Sequence, residues 1–153
     1  MLIEFRVKNF RSLRDEQTLS LVADKDKSLQ ESNTMPSGIK AAPTLLRSMV
    51  IFGPNAGGKS NLIKALQFMR AVVAESASVM QPGQTFHTQS FRFEGTSVAQ
   101  PTEFDVSFVL DGIRYQFGFA LTAQRITREY LLVYKAFKPQ LWFERYFDEE
   151  SGK

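Results

Sequence analysis

Several residue types that carry chemistry are absent or rare in this sequence. Cysteine does not occur, which excludes disulfides and thiolate metal sites. The one histidine, His87, lies in a Thr-rich stretch and is predicted to be a loop residue rather than a base or a metal ligand. No apolar run approaches the span of a bilayer, and Glu4, Arg6 and Lys8 stand where a signal peptide needs its apolar stretch. These absences favour a cytoplasmic protein without membrane contact.

An excess of charge of one sign is also lacking. The formal net charge is +3, and basic and acidic residues are interspersed along the chain. Such a balance permits contact with nucleic acid but does not indicate it. The 153 residues, 43% of them hydrophobic and 23% charged, are enough for one globular domain with a real core, and too few for two ordinary ones.

Eight consecutive residues, Gly53 to Ser60, match the phosphate-binding pattern G-x-x-x-x-G-K-[ST]. In this pattern the glycines let backbone N–H groups turn toward phosphate oxygens. The lysine, here Lys59, reaches the β- and γ-phosphates, and the hydroxyl of Ser60 is offered to Mg²⁺. The motif therefore predicts a site for a nucleoside triphosphate with Mg²⁺, and the resemblance described below specifies ATP. The alternative is a Gly-rich turn that is followed by Lys-Ser by chance.

The flanks of the motif argue against chance. Ser48–Phe52 is a short apolar run with β-branched residues, which predicts a strand buried on both faces. A helix is predicted after the motif, to about Ala77, because apolar residues recur there at helical spacing: Leu62, Leu66, Met69 and Val73. The N-terminus of this helix would face the loop, where its partial positive charge favours an anion.

Strand patterns dominate the rest of the chain. Residues 1–23 predict a hairpin of two strands, 24–44 a long surface loop, 45–80 the nucleotide-binding unit and 85–147 a series of antiparallel strands. Gln81–Gln84 would end the helix, and Asp111-Gly112 suits a two-residue hairpin turn. The predicted fold is α/β, with a P-loop unit in a mixed core sheet and an antiparallel β-meander. A motif placed so late, in so β-rich a chain, argues against a small-molecule kinase.

Two stretches carry a family resemblance. Ile3–Ser12 resembles the opening strand of the RecF/SMC/Rad50/OLD-type ABC ATPases, which ends in N-F-[KR]-S, and Gly53–Asn61 is similar to their phosphate loop. Asp15–Ser20 and Pro101–Phe104 add a likeness to the prokaryotic RloA-like "AAA family ATPase" group, found in anti-phage defence. The resemblance covers nearly the whole chain but only the first part of the family's ATPase domain. It implies the first lobe of an ABC-type head.

The resemblance also implies site residues. Lys59 would be the catalytic lysine and Ser60 the metal ligand. Arg11, the basic residue of the N-F-[KR]-S motif, would lie near the nucleotide; the alternative is a solvated arginine in a turn. The implied nucleotide contacts are Gly53, Pro54, Asn55, Ala56, Gly57, Gly58, Lys59, Ser60, Asn61 and Arg11.

Other elements that an ABC ATPase needs are not found in the sequence: a Leu-Ser-Gly-Gly signature, an apolar run ending in Asp-Glu, and a switch histidine. The one candidate for the second is Tyr146–Glu149, in which Asp148 would bind Mg²⁺. Glu144 and Arg145 interrupt its apolar run, which favours a surface charge cluster. We therefore expect the front half of a head, which binds ATP weakly and hydrolyses it negligibly by itself.

Three functions stay open at this level. The first is an ATPase head that dimerises, or pairs with a partner head, around nucleotide in anti-phage defence or DNA transactions, with an effector protein or nucleic acid as further partners. The second is a non-catalytic, nucleotide-sensing interaction module, and the third a small-molecule kinase. Trp142 and the phenylalanines at strand spacing are predicted to pack in the core or on a sheet face rather than to stack on bases.

Overall fold

A computed structural model describes residues 1–26, 28–75, 85–93, 100–136 and 138–148 of the protein. Eight strands and two helices occur in these ranges: β1 (Leu2–Lys8), β2 (Gln17–Ser20), α1 (Gln30–Asn33), β3 (Thr34–Pro36), β4 (Thr44–Leu46), α2 (Lys59–Glu75), β5 (Thr102–Leu110), β6 (Ile113–Leu121), β7 (Ile126–Tyr134) and β8 (Gln140–Tyr146). In this part of the chain, neither helix is both long enough and apolar enough to cross a membrane. The helix breaker predicted at Gln81–Gln84 lies outside the described residues.

Six strands form one sheet in the order β2-β1-β5-β6-β7-β8. Each neighbouring pair is antiparallel, and β3 pairs with β4 in a separate antiparallel ribbon. The predicted hairpin of residues 1–23 and the antiparallel series after residue 85 are therefore confirmed. The prediction of a mixed sheet with a parallel unit is wrong for the described residues, because every described pairing is antiparallel.

The hairpin between β5 and β6 turns where the sequence indicates. Leu110 pairs with Ile113, so that Asp111 and Gly112 alone form the turn. Both have positive φ, 50° and 72°. This is the requirement of a type I′ turn, whose twist matches that of the flanking strands. The Asp-Gly dipeptide thereby fixes the register of the two central strands.

The main core lies between α2 and one face of the sheet. Phe104 is at its centre, with ring centroids 5.2–6.5 Å from those of Phe5, Phe10, Phe68 and Phe119. From α2, Ala65, Met69 and Val72 are buried in this cluster. Val73, predicted to face inward, is 53% exposed, whereas Val72 is 7% exposed. Met69 is buried and Leu62 and Leu66 pack against this cluster as predicted, so the prediction is wrong only at its last position, where Val72 takes the place of Val73.

The long surface loop predicted for residues 24–44 contains regular structure. The one-turn helix α1 and strand β3 lie within it, and β3 pairs with β4 from Thr34↔Leu46 to Pro36↔Thr44. Ala42 and Leu45 are buried in a second cluster with Ile3 and Val109. The segment predicted as a surface loop is mostly exposed, but it also contains this short helix and one strand of the ribbon. A ribbon of only three residues per strand is too short to show a hydrophobic period, and it is stabilised by packing on the main sheet.

The segment in front of the phosphate motif differs most from its prediction. Ser48–Phe52, predicted as a strand buried on both faces, is neither in a strand nor buried. Val50 is 70% exposed and Phe52 is 87% exposed. None of the described strands pairs with this segment, so its backbone has no ladder to join. The segment therefore exposes a row of large apolar side chains to solvent.

Candidate phosphate-binding site

The phosphate motif forms a compact loop that leads directly into α2. The Gly57 N–H donates to the Pro54 carbonyl (3.1 Å), and the N–H groups of Asn61 and Leu62 donate to the Gly58 carbonyl (2.9 and 3.1 Å). The helix begins at Lys59, within the motif, and extends for 17 residues. The predicted loop and helix are therefore confirmed. The first N–H groups of such a helix have no partner within it, and with the helix dipole they favour an anion at this end.

Two positions in the loop have a left-handed backbone. Ala56 has φ of 64° and Gly58 has φ of 86°. A Cβ on Gly58 would lie 3.2 Å from Leu13 Cδ2 and 3.3 Å from Ser12 Oγ. Position 58 thus favours glycine for two reasons: its φ is positive, and another segment of the chain approaches it closely. The last glycine of the motif lies directly against the turn that follows β1.

Lys59 spans the loop. Its Nζ donates to the carbonyls of Gly53 (2.6 Å) and Pro54 (2.7 Å), at the opposite end of the motif. Asn55 and Ser60 are exposed to solvent on the same loop. The arrangement places an ammonium group, a hydroxyl and the N-terminus of a long helix within eight residues. Groups of these kinds are the ones that contact anions and hard cations in proteins.

The turn between β1 and β2 packs against the loop and the start of α2. Asn61 Nδ2 donates to Ser12 Oγ at 2.7 Å, which joins α2 to the turn. Asn9 fixes the turn to the sheet: its Nδ2 donates to the carbonyls of Gln100 (2.9 Å) and Pro101 (3.3 Å), and its Oδ1 accepts from the Phe91 N–H (3.0 Å). Asn9 is buried and has φ of 55°, a conformation that Asn tolerates better than most residues. The sequence analysis assigned no role to Asn9 or Ser12, although both belong to the N-F-[KR]-S motif.

Arg11 lies in the same turn, next to Ser12. Its φ is 52°, and its N–H donates to the Gln89 carbonyl at 2.6 Å. The guanidinium carbon lies 5.6 Å from the centre of the Phe10 ring. The Nε atom is buried and has no hydrogen-bond partner among the described residues. Arg11 is therefore adjacent in sequence to Ser12, which contacts the loop, and its own side chain packs on the Phe10 ring.

The other residues singled out in the sequence lie on different elements. Asp148 is exposed and follows the edge strand β8, which is four strands from β1 in the sheet. His87 is exposed outside any strand or helix, as predicted, and within the described residues no three His, Asp or Glu side chains cluster as metal ligands.

Trp142 is 52% exposed on the edge strand, edge-on to Tyr115, so it packs on a sheet face and not in the core.

The face of the sheet opposite α2 carries a polar network that the sequence analysis missed. Asp105 Oδ2 accepts from the Tyr130 hydroxyl and from Gln116 Nε2 (2.9 Å), and Gln116 Oε1 accepts from the Tyr134 hydroxyl (2.9 Å). Burial, together with the bond to Asp105, raises the pKa of Tyr130 above its usual value. The Tyr130 ring lies over Gly118, its register partner. Alternating strand positions could have indicated this face, but not which polar residues meet on it.

Comparison with known families gives one result that bears on this loop. Residues 48–153 match a family model described as "AAA domain, putative AbiEii toxin, Type IV TA system". The match begins at the apolar segment in front of the phosphate motif and covers more than two thirds of the chain. No curated protein matches the chain. The chain therefore belongs to this AAA domain family, whose members are nucleotide-binding P-loop ATPases.

Proposed function

We propose that this chain binds ATP and Mg²⁺ through the loop Gly53–Ser60. Backbone N–H groups of the loop and of the first turn of α2 contact the phosphates. Lys59 exchanges its two carbonyl partners for the β- and γ-phosphates, and Ser60 contributes its hydroxyl to Mg²⁺. Asn55, Asn61 and the turn residue Arg11 complete the set of contacts.

The observation that carries this proposal is the position of Lys59. It is the first residue of a 17-residue helix, and its ammonium group reaches back across the loop to Gly53 and Pro54. A chance Gly-rich turn would not combine this reach with a helix N-terminus at the same point. Because the ammonium group has only neutral carbonyls as partners within the described part of the chain, a polyphosphate offers it a much stronger electrostatic partner.

The fold also supports a place for this chain in a larger head. Met49, Val50 and Phe52 are exposed in front of the loop, and Ile63 and Val73 are exposed on α2. These exposed apolar side chains lie just before the motif and along α2 after it. We propose that the chain is the first lobe of an RloA-like, ABC-type ATPase head, and that a second lobe or a partner head covers this surface and supplies the acid that orients water.

The biological setting is inferred from the family. Its description names a toxin and a type IV toxin–antitoxin system. We propose that the chain acts in the cytoplasm in anti-phage defence, or in a DNA transaction, with ATP binding as the controlled step. A homodimer or a partner head, and an effector protein, are the proposed macromolecular partners.

Thermal unfolding with and without Mg-ATP tests the proposal. A ligand at 100 times its Kd stabilises the native state by about 2.7 kcal/mol, which is about 5–10 °C for a domain of this size. We expect Lys59→Ala to abolish the shift. Lys64→Ala is the matched control, because Lys64 is an exposed lysine on the same helix and its loss changes the net charge equally. A shift of equal size in both variants would contradict binding through Lys59.

The exposed apolar segment Met49–Phe52 also favours a second candidate, a non-catalytic interaction module. In that case a partner protein covers the segment and the loop has no ligand. The same melting experiment separates the two functions. A native state that is not stabilised by Mg-ATP at any concentration up to several millimolar would favour the module.

A further inference from the structure

The connection between the β1–β2 turn and α2 has a role in the phosphate site itself. We infer that Ser12 is a positioning residue, which holds Asn61 and the Gly58 peptide so that the N–H groups at the start of α2 point into the loop. This inference rests on the proposed function, because it assigns a task within the same site. This role differs from those of the phosphate-motif residues. Ser12 is more than forty residues away from the motif in sequence and contacts Gly58 and Asn61 from the β1–β2 turn.

Two contacts define the task. Ser12 Oγ accepts from Asn61 Nδ2 at 2.7 Å, and Asn61 lies in the first turn of α2. Ser12 Oγ and Leu13 Cδ2 also lie 3.3 and 3.2 Å from the point where a Cβ of Gly58 would be. The backbone of Gly58, whose carbonyl receives the first two bonds of the helix, is therefore confined on one side by Ser12 and Leu13.

The turn is rigid enough to serve as a support. Phe10 and Leu13 exchange backbone hydrogen bonds in both directions (2.8 Å each), and the Asn9 N–H donates to the Arg14 carbonyl (3.1 Å). Asn9 fastens the turn to the start of β5 and to Phe91 through its side chain, and Thr102 Oγ1 donates to the Asn9 carbonyl at 2.9 Å. Because the turn is hydrogen-bonded at several points, it can hold the Gly-rich loop in one orientation.

The test compares Ser12→Ala, Asn61→Ala and the double variant in the full chain. The Kd for Mg-ATP is measured at a temperature at which urea unfolding shows all variants folded. Losing one hydrogen bond of this kind should raise Kd about threefold to tenfold. Asn61→Ala also removes the proposed nucleotide contact of Asn61, but the bond to Ser12 is lost in either single variant, so the double variant should bind no more weakly than Asn61→Ala. Ser12→Thr, which keeps the hydroxyl, should restore Kd to within about twofold, and Ser32→Ala is the control for an exposed serine elsewhere.

A second readout does not need nucleotide. In the free chain, Ser12→Ala should speed amide hydrogen exchange at Gly58–Leu62 and leave the rates in β6 and β7 unchanged. A wild-type Kd in Ser12→Ala, or fully additive effects of the two variants, would overturn the inference while Lys59→Ala still abolished binding. If the wild type does not bind Mg-ATP, the proposed function fails. Unchanged exchange at Gly58–Leu62 would then overturn the positioning role as well.

Discussion

Substituting alanine for Gly118 should destabilise the protein, although the usual effect of this change in a strand is the opposite. A strand-interior glycine normally gives way to alanine with a gain of about 0.5–1 kcal/mol, because alanine loses less conformational freedom on folding. Here, however, a Cβ at residue 118 would lie 2.5 Å from Tyr130 Cζ and 2.6 Å from its hydroxyl oxygen. Carbon atoms do not approach so closely, so the Tyr130 ring must rotate away from the sheet.

The displaced ring loses its bond to Asp105. A hydrogen bond to a charged group contributes about 1.5–3 kcal/mol. Subtracting the ordinary gain of alanine leaves a net loss of about 1–2 kcal/mol of unfolding free energy. The bond to Gln116 Nε2 stays on Asp105 Oδ2, so the carboxylate is not left without any partner.

Urea unfolding followed by circular dichroism measures this change in wild-type and Tyr130→Ala backgrounds. In the Tyr130→Ala background the ring is gone, so Gly118→Ala should recover its usual sign and stabilise by about 0.5–1 kcal/mol. The two substitutions are therefore strongly non-additive. Stabilisation by Gly118→Ala in the wild-type background would refute the packing of Tyr130 on Gly118.

Three further predictions concern the turn, the loop and the polar face. Asn9→Ala should lower the unfolding free energy by about 2–4 kcal/mol in urea, because it unpairs the half-buried Phe91 N–H and puts alanine at φ of 55°. Gly58→Ala should destabilise more than Gly38→Ala in the same assay. Both glycines have positive φ, but only Gly58 has neighbours within 4 Å of a Cβ. Burial and Asp105 raise the folded-state pKa of Tyr130 above the unfolded value of about 10, so the stability it contributes is present below pH 10 and lost as pH rises beyond it. Urea titrations from pH 8 to 11 should show a decline that Tyr130→Phe reduces, and an unchanged slope would contradict this assignment.

The parts of the fold that local chemistry determines could be predicted from the sequence. Asp111-Gly112 fixes its turn because few other dipeptides accept positive φ at both positions. The helix after the phosphate motif follows from the motif itself and from a long apolar stripe. In both cases the decisive interactions lie within a few residues of one another along the chain.

The parts that depend on distant residues could not be predicted. Ser48–Phe52 has the composition of a buried strand, but a strand exists only where a neighbour pairs with it, and none of the described strands does. The support of the loop by Ser12 and Asn9 joins segments separated by up to about ninety residues. Both residues belong to the N-F-[KR]-S motif, from which the sequence singled out only Arg11, and the contacts of Asn9 and Ser12 are seen only in the structure.

Amide chemical shifts during a titration with Mg-ATP test the central claim most directly, because they report both binding and its location. We predict saturable shifts that are largest at Gly57–Asn61, smaller at Ser12 and Leu13, and absent in Lys59→Ala. Lys64→Ala should reproduce the wild-type pattern. Shifts centred on the polar face around Asp105 and Tyr130, or a pattern that survives Lys59→Ala unchanged, would contradict ATP binding by the loop Gly53–Ser60.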